Sequence, residues 1–342
     1  MYDFLIIGAG SAGAHTAYFL KKAGVKVAVV EQSDIAAGGS GAAGAFITPR
    51  IGKGGPIQRW TNEAFRFTVK RYEQSRYFYQ TGLLRLPKEN ETFEGLERYL
   101  DIEYEKKANG FFFPKAGILK AKPYLEHLLH NIDTFFFEAS IEKKGDFFQV
   151  GALQAKKVIL ATGAWDQLID EPYVTIGKTS GVRFDVRTKL ALPYSIHQKV
   201  SVSANIDGIV AIGATHQRLE SPSKPQPPSF LFDEAKKVVG EFSYEIEQMY
   251  CGIRSSVNDH LPIIGELIDT KKVPRITNFK RLDLSQMPRK GIYIINGLGG
   301  RGFVFGPFVA KILSDHLIGN CPIPWELDVD RYFIRYLKKG KR

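Results

Sequence analysis

The sequence predicts an α/β protein (α+β, two domains) in which a parallel-sheet domain is interleaved with a mostly antiparallel one. Three observations support this class. The chain opens with a strand–turn–helix–strand pattern, and a second apolar strand runs from Val158 into Ala161-Thr162-Gly163. Near the C-terminus, a glycine-rich turn again opens a helix. Between these elements, residues around Val200 to Ala204 alternate between apolar and polar, as antiparallel strands do.

The first element has the pattern of a nucleotide-binding motif. Phe4 to Ile7 suit a buried parallel strand, Ala12 to Leu20 favour a helix, and Val25 to Val30 suit a second strand that ends in an acid. Glycines in G-x-G-x-x-G spacing permit a tight turn, close approach of a pyrophosphate and close helix–strand packing, and the acid suits ribose hydroxyls. The pattern predicts a Rossmann-like domain whose dinucleotide contacts come from Gly8, Gly10, Ser11, Gly13 and Glu31.

Length and composition limit the function classes. The 342 residues suit two domains, and 47 basic against 36 acidic residues favour a polyanionic partner, although many basic proteins have none. Cys251 and Cys321 are far apart without a nearby histidine, so neither a disulfide framework nor a metal site is indicated and a cytoplasmic location is expected. No apolar run reaches the roughly 20 residues that span a bilayer, and the first strand starts at residue 3, so neither a membrane association nor a signal peptide is expected.

The remaining elements follow in chain order. Ala36 to Ala45 is rich in small residues, which permits close backbone approach to a ligand or marks a flexible loop. Ile57 to Gln80 and Phe232 to Met249 predict helices. Gly291 to Asn296 predicts a strand, and a glycine-rich turn then opens a helix from about Pro307 to Leu317.

The chain is therefore expected to begin and end in the nucleotide domain. Residues 1–80, 117–176 and 290–342 are predicted to form that domain, and residues 81–116 and 177–289 a substrate domain. The ligand would lie where the two domains meet.

Two blocks carry a resemblance to a known family: Cys251 to Gly265 and Asn296 to Phe303. With the N-terminal motif, they resemble the D-amino-acid oxidase superfamily of FAD enzymes, which includes glycine and sarcosine oxidases. Within it, the chain is most similar to the FAD-dependent module of the bifunctional MnmC enzymes, which modify the wobble uridine of tRNA. The likeness runs through essentially the whole chain in the same order.

The resemblance implies a D-amino-acid-oxidase-type fold, an FAD cofactor and oxidation of a CH–NH group. The implied substrate is 5-carboxymethylaminomethyl(-2-thio)uridine in tRNA, which would lose its carboxymethyl group as glyoxylate and become 5-aminomethyl(-2-thio)uridine. The methyltransferase domain of the MnmC enzymes has no counterpart before residue 3, so methyl transfer is expected from a separate tRNA methyltransferase. Ala42 and Ala43 stand where the family has polar residues, which puts side-chain contacts to the flavin there in doubt.

The resemblance also implies roles for individual residues. Arg254 is the first choice to bind the substrate carboxylate, because a guanidinium offers two parallel donors; the alternative is a structural pair with Asp259. Arg301 is a second candidate, for the carboxylate or for the polar edge of the flavin. Cys251 either bonds covalently to the flavin, as a cysteine does in some sarcosine oxidase relatives, or is a small buried residue. Further cofactor contacts are expected from Gly39, Ser40, Gly44, Thr162, Gly163, Gly299, Gly300, Gly302 and Phe303.

Two basic segments are candidates for binding tRNA phosphates. One runs from Lys271 to Lys290, and the other begins at Arg331. Each could equally be solvated surface. His216 and His260 are expected to be structural. In the C-terminal segment the residues expected to contact RNA are Arg335, Lys338 and Lys339.

Two other functions stay open at this point. One is an FAD-dependent oxidase or dehydrogenase of free glycine, sarcosine or D-amino acids. The other is a flavin-holding protein that binds RNA or assembles a complex without turnover. The sequence does not distinguish oxygen from another electron acceptor.

Overall fold

The computed structural model describes residues 1–219, 229–274 and 282–339. These residues form three β-sheets with α-helices on the outside of the largest parallel layer, which is the mixed α/β architecture that the sequence predicts. In the described part of the chain, no helix combines the length and the apolar character needed to cross a membrane.

The first sheet has eight strands and holds the N-terminal strand at its centre. Strand β1 (Tyr2–Ile7) lies between β2 (Val27–Glu31) and β12 (Leu153–Leu160), and both pairings are parallel. Alternate side chains of β1 pack into two different core clusters, as expected for a parallel sheet that is covered on both faces. The other strands are β9 (Asp133–Phe136), β10 (Ile141–Lys144), β11 (Phe147–Val150), β19 (Ile263–Ile268) and β20 (Arg289–Asn296).

Helices cover this sheet on both sides. On one face, α1 (Ser11–Lys22) and α3 (Pro56–Tyr72) both pack against α7 (Gly302–Gly319). On the other, α8 (Asp330–Lys338) contributes Phe333 to the second core cluster. The remaining helices are α2 (Gly39–Ala42), α4 (Phe93–Glu97), α5 (Ala121–Leu129) and α6 (Ser229–Val239), with 3₁₀ turns at Thr270–Lys272, Leu284–Gln286 and Gly299–Arg301.

The second sheet has nine strands, and its long edge strand carries the most important candidate residue. Strand β13 (Gly177–Arg187) pairs antiparallel with the edge strand β18 (Glu245–Ser256), which places Arg254 opposite Thr179. The other strands are β5 (Leu83–Arg85), β6 (Glu105–Lys107), β7 (Gly110–Phe113), β14 (Ser195–His197), β15 (Ser201–Val202), β16 (Ile209–Gly213) and β17 (Gln217–Arg218). A small third sheet contains β3 (Phe46–Ile47), β4 (Phe78–Tyr79) and β8 (Gly117–Leu119).

Two predicted helices end earlier than the sequence indicates. The helix expected over Ile57 to Gln80 stops at Tyr72, because β4 pairs with β8 instead of continuing it. The prediction of a helix over Phe232 to Met249 was wrong beyond Val239, where Gly240 turns the chain with a φ of 81°. The residues that follow form β18, since pairing along the whole length of β13 outweighs a local helical pattern.

The predicted domain division, 1–80, 117–176 and 290–342 against 81–116 and 177–289, stays a prediction. One strand does not follow this division. Strand β19 falls inside the predicted substrate-domain range 177–289, but it pairs antiparallel with β20 in the first sheet. The pairing brings the block after β18 back to the nucleotide side of the molecule.

Asp259, in the loop after β18, holds the closing helix in place. Its carboxylate accepts hydrogen bonds from Arg331 Nε at 3.0 Å and Nη2 at 3.1 Å, and Arg335 pairs with it at 2.8 Å. Arg331 is buried and also donates to three backbone carbonyls. Burial alone would raise the pKa of Asp259, but the hydrogen bond and charge of Arg331 outweigh it and lower that pKa to about 2.

Asp259→Asn is expected to make the stability of the fold less dependent on acid pH. The folded-state pKa of about 2 lies below the unfolded value, so the ionised carboxylate stabilises the fold fully above about pH 4. This contribution, roughly 2 kcal/mol, is lost as the pH falls through 2, and about half has gone by pH 3. Urea unfolding at pH 6 and pH 3 measures it, with Glu142→Gln, from an exposed pair, as the control. An equal loss in wild type and Asp259→Asn would contradict the prediction.

Candidate active site

A cavity of about 1410 Å³ is lined by residues of both large sheets. Its volume exceeds that of a typical small-ligand pocket, about 300–1,000 Å³, and is large enough for a dinucleotide together with a substrate. All but one of the predicted cofactor residues line it, namely Gly8, Gly10, Ser11, Glu31, Gly39, Ser40, Gly44, Thr162, Gly163, Gly299, Gly300, Gly302 and Phe303.

The exception, Gly13, lies below the cavity and serves packing. A Cβ atom at this position would stand 1.9 Å from the carbonyl oxygen of Gly8. No side chain can be accommodated at that distance, so helix α1 can approach β1 this closely only with glycine here.

Polar groups at the nucleotide end fit the expected FAD. The Glu31 carboxylate is oriented by N–H groups of Ala9 and Gln32, each at 2.8 Å, at the end of β2 where ribose hydroxyls are expected. Ser40 Oγ accepts from the N–H of Ser11 at 2.9 Å and so joins the second glycine-rich segment to the start of α1. The hydroxyl of Thr162 is buried without a partner among the described residues and lines the cavity. An orphaned polar group in a glycine cradle is what a bound cofactor would satisfy.

The segment Ala36 to Ala45 packs directly on the edge strand that carries Arg254. A Cβ at Gly39 would stand 2.7 Å from the carbonyl oxygen of Ile253, and one at Gly252 would stand 2.5 Å from Cβ of Ala42. Close backbone approach, rather than a free loop, therefore explains the small residues. Helix α2 occupies the middle of this segment.

Arg254 enters the cavity without a carboxylate partner. Its Nη1 donates to the carbonyl of Thr215 at 3.1 Å and lies 3.1 Å from His216 Nδ1. No acid pairs with it in the described ranges, and Asp259, the structural alternative, pairs with Arg331 and Arg335 instead. Burial lowers the pKa of the guanidinium, and no carboxylate in the described ranges offsets that effect.

Arg301 lies in the 3₁₀ turn that opens α7, next to a second unpaired arginine. Its Nη1 donates to the carbonyl of Thr48 at 2.9 Å, and its pKa is lowered to about 10 by burial and then by Arg50. The guanidinium of Arg50 has neither a hydrogen bond nor an ion pair within residues 1–219, 229–274 and 282–339. Two guanidinium groups that repel each other, with no acid to neutralise them, favour an anionic ligand.

Sequence reasoning missed other basic residues that line the cavity. Arg85 and Lys88 line the cavity together with His197, which stands directly opposite Arg85 where β5 and β14 pair. Apart from Glu31 and Glu138 at the nucleotide end, Glu91 is the one acidic residue of the described chain that lines the cavity. No local signal marks these positions, since β5 and β14 are more than a hundred residues apart.

The remaining predicted residues take less central places. His216 lines the cavity, where burial and then the charge of Arg254 lower its pKa to about 4, so its ring is neutral and accepts the arginine N–H. His260 lies at the cavity edge and is exposed. Cys251 is exposed, which corrects the expectation of a buried residue, and it does not line the cavity, which gives no support to a covalent flavin link.

The two basic segments differ once they are folded. In the first, Lys271 and Lys290 pair with Asp170, and Arg289 pairs with Asp330, so acids from other elements neutralise charges that look unpaired in the sequence. Arg275, Lys280 and Arg281 lie outside the described residues, as do Lys341 and Arg342.

At the C-terminus, Arg331 is buried in the Asp259 cluster and Arg335 pairs with the same acid. Lys338 and Lys339 are exposed. They are therefore the two positions of the predicted RNA-binding set that keep an available charge.

Comparisons with known proteins agree with this geometry. A family model described as FAD dependent oxidoreductase matches residues 3–316. The tRNA 5-methylaminomethyl-2-thiouridine biosynthesis bifunctional protein MnmC of Maricaulis maris is 24% identical over 332 residues, which cover 93% of this chain and 52% of that protein. The protein of the same name from Campylobacter fetus is 24% identical and is matched over 99% of this chain and 60% of its own length. The chain thus spans between about half and three fifths of these curated relatives.

Solved structures share the fold. Glycine oxidase from Geobacillus kaustophilus superposes with a TM-score of 0.75 at 18% identity, covering 97% of each chain. Iminodiacetate oxidase from Chelativorans sp. BNC1 gives a TM-score of 0.73 at 16% identity, covering 96% of this chain and 98% of that one. These likenesses confirm the predicted D-amino-acid-oxidase-type fold.

Proposed function

The chain belongs to the family of FAD-dependent oxidoreductases, which confirms the predicted cofactor and enzyme class, and from this premise we propose that it oxidises a glycine unit carried by the wobble uridine of tRNA. The proposed substrate is 5-carboxymethylaminomethyl(-2-thio)uridine. The products are 5-aminomethyl(-2-thio)uridine and glyoxylate. The primary amine produced is the acceptor that a separate tRNA methyltransferase, the second proposed partner, would need.

The observation that carries the proposal is the unpaired guanidinium of Arg254. It lies in a cationic cavity next to the glycine-rich cofactor segment, and no acid among the described residues neutralises it. A planar donor pair binds a carboxylate in one orientation, which fixes the α-carbon of a glycine unit as well as its charge. Arg301, in the adjacent turn, is proposed to assist with the same carboxylate or with the polar edge of the cofactor.

The residues that line the cavity also suit the required protonation state. FAD, when bound, supplies the two-electron oxidation of the α-carbon–nitrogen bond. The amine must be neutral to be oxidised, and the surrounding positive charges disfavour its ammonium form. The neutral ring of His216 leaves the charge of Arg254 available to the carboxylate. Hydrolysis of the oxidised C=N bond by water then releases glyoxylate.

The names of the curated relatives support tRNA as the carrier of the glycine unit. The MnmC proteins of Maricaulis maris and Campylobacter fetus are named for tRNA 5-methylaminomethyl-2-thiouridine biosynthesis. The net charge of +11 suits a polyanionic substrate.

The experiment that tests the function uses the FAD-loaded protein and tRNA that bears the carboxymethylaminomethyl group. Nucleoside analysis after turnover is expected to show the 5-aminomethyl nucleoside, with glyoxylate in equal amount. Unchanged nucleoside, together with rapid oxidation of free glycine, sarcosine or a D-amino acid, would instead select the alternative function. No oxidation of any amine would reject both.

Lys338→Ala/Lys339→Ala is expected to weaken tRNA binding. Removing one lysine that pairs with a phosphate reduces the slope of log K against log salt by about one, so the double variant should reduce it by up to about two. Filter binding between about 50 and 200 mM salt measures this slope. Lys21→Ala/Lys22→Ala, which removes two exposed lysines at the end of α1, is the matched control. Identical slopes for both double variants would contradict the assignment of the C-terminal lysines.

A further inference from the structure

The wall formed by β5 and β14 contains a buried guanidinium that lacks part of its hydrogen bonding. Arg85 is only 7% exposed, and its Nη2 pairs with Glu91 at 2.6 Å. Its Nη1 is buried and has no acceptor among the described residues. A buried N–H group without an acceptor is destabilising, and more so when it belongs to a charged group. Arg85 lines the cavity, so a small rotation of its guanidinium would offer this N–H group to an acceptor on a ligand there.

The charge around Arg85 is not balanced by protein groups. Glu91 neutralises one cation and is also held by the backbone N–H of Lys88 at 2.8 Å. The ammonium of Lys88 has no hydrogen-bond or ion-pair partner within the described ranges, and it lines the same cavity. His197 adds no charge, because burial and then Arg85 lower its pKa to about 3.

This excess comes from other strands of the second sheet than Arg254. Arg85 lies on β5 and His197 on β14, whereas Arg254 lies on β18, and three strands of the sheet separate β18 from β14. Two cationic sites on different strands of one cavity, one at Arg254 and one at Arg85 and Lys88, suit a substrate with two anionic groups. A glycine unit attached to a nucleotide has such a pair, one carboxylate and one phosphate.

We propose that Arg85 and Lys88 form a second anion subsite that binds a phosphate of the substrate nucleotide while Arg254 binds its carboxylate. The proposal rests on the proposed function and adds to it a contact to the nucleotide backbone. Phosphate offers several acceptor oxygens, so one can accept from Arg85 Nη1 while another faces the ammonium of Lys88. A second carboxylate has related chemistry, and the experiment distinguishes the two.

The first arm compares 5-carboxymethylaminomethyluridine with its 5′-monophosphate on the FAD-loaded protein. The monophosphate is expected to be oxidised with a kcat/KM about 10- to 100-fold higher, the effect of one or two hydrogen bonds to a charged group. In Arg85→Gln and in Lys88→Ala this ratio should fall toward one. Lys88 is exposed, so its variant tests the subsite without disturbing the core, and Lys21→Ala is the matched control. Equal kcat/KM for nucleoside and monophosphate in the wild type would overturn the subsite while leaving the proposed function intact.

The second arm does not depend on turnover. Inorganic phosphate is titrated into the FAD-loaded protein, and binding is followed by calorimetry and by the flavin absorption spectrum. Phosphate is expected to bind wild type and Arg254→Ala similarly and Arg85→Gln at least about tenfold more weakly. If the wild type does not bind phosphate, the subsite is overturned, whether or not either nucleoside is oxidised. If phosphate binds as expected but neither nucleoside is oxidised, only the proposed function is rejected. A third comparison tests for a second carboxylate. If the protein prefers iminodiacetate over sarcosine, if this preference depends on Arg85, and if the monophosphate is not preferred, the subsite binds a carboxylate and the phosphate assignment is overturned.

Discussion

Replacing Arg254 by alanine is expected to lower kcat/KM for the glycine-bearing substrate by about 10²- to 10⁴-fold. The variant lacks two hydrogen bonds to a charged carboxylate, each worth about 1.5–3 kcal/mol, and every 1.4 kcal/mol is a factor of about ten. The substrate would also lose the orientation of its α-carbon, so kcat should fall together with the rise in KM. Steady-state kinetics with modified tRNA or with the free nucleoside measures both parameters.

Two controls separate this role from a structural one. FAD content should be unchanged in Arg254→Ala, because the side chain contacts the carbonyl of Thr215 and His216 and holds no acid of the fold. Arg254→Lys keeps the charge but loses the parallel donor pair, so its kcat/KM should fall between wild type and alanine. Wild-type kinetics in the alanine variant would remove Arg254 from the mechanism, whatever the state of the fold.

Gly13→Ala is expected to abolish FAD binding and to destabilise the fold by about 3 kcal/mol or more. The added methyl would stand 1.9 Å from the carbonyl oxygen of Gly8. Neither atom can rotate away, because the methyl is fixed to the backbone of α1 and the carbonyl belongs to the backbone just after β1. Relief requires α1 to move away from the sheet, which displaces its N-terminus from the position where the cofactor pyrophosphate is expected. Absorption near the flavin maximum and the free energy of unfolding measure the two effects.

A second glycine at the far end of the same helix provides the control. Gly24 has a φ of 81° and open space around its Cβ position, so alanine there should cost only about 1–2 kcal/mol of backbone strain and leave FAD binding unchanged. A yellow, stable Gly13→Ala protein would show that the close helix–strand packing is not required for the cofactor.

The sequence allows the nucleotide side of the molecule to be predicted because its signals are local. Each signal can be recognised from a few neighbouring residues: the glycine spacing, the acid at the end of β2, and the apolar strand β12 that runs into Ala161-Thr162-Gly163. Residues 240–256 show the opposite case: a helical pattern after Val239 gives way to β18, because the partner strand β13 lies about sixty residues earlier and cannot be seen locally.

In the candidate site, too, some residues could be predicted from local sequence and others could not. Arg254 and Arg301 stand in recognisable blocks, whereas Arg85 and His197 acquire their place only when β5 pairs with β14. The sequence around a basic residue also does not show whether its charge is neutralised by an acid from another element. Lys271 and Arg289 look like part of a free basic segment, yet they pair with Asp170 and Asp330 from other elements.

The contact between the small-residue segment and β18 has a consequence for how this scaffold can change over evolution. The small-residue segment and the strand that carries Arg254 approach each other backbone to backbone at Gly39 and Ile253, so a mutation that shifts one is expected to disturb the other. A Cβ built on any glycine of the segment Ala36 to Ala45 has no atom of β5 or β14 among its three nearest neighbours. We therefore expect substrate preference to vary more readily on the β5–β14 wall than on the strand that carries Arg254.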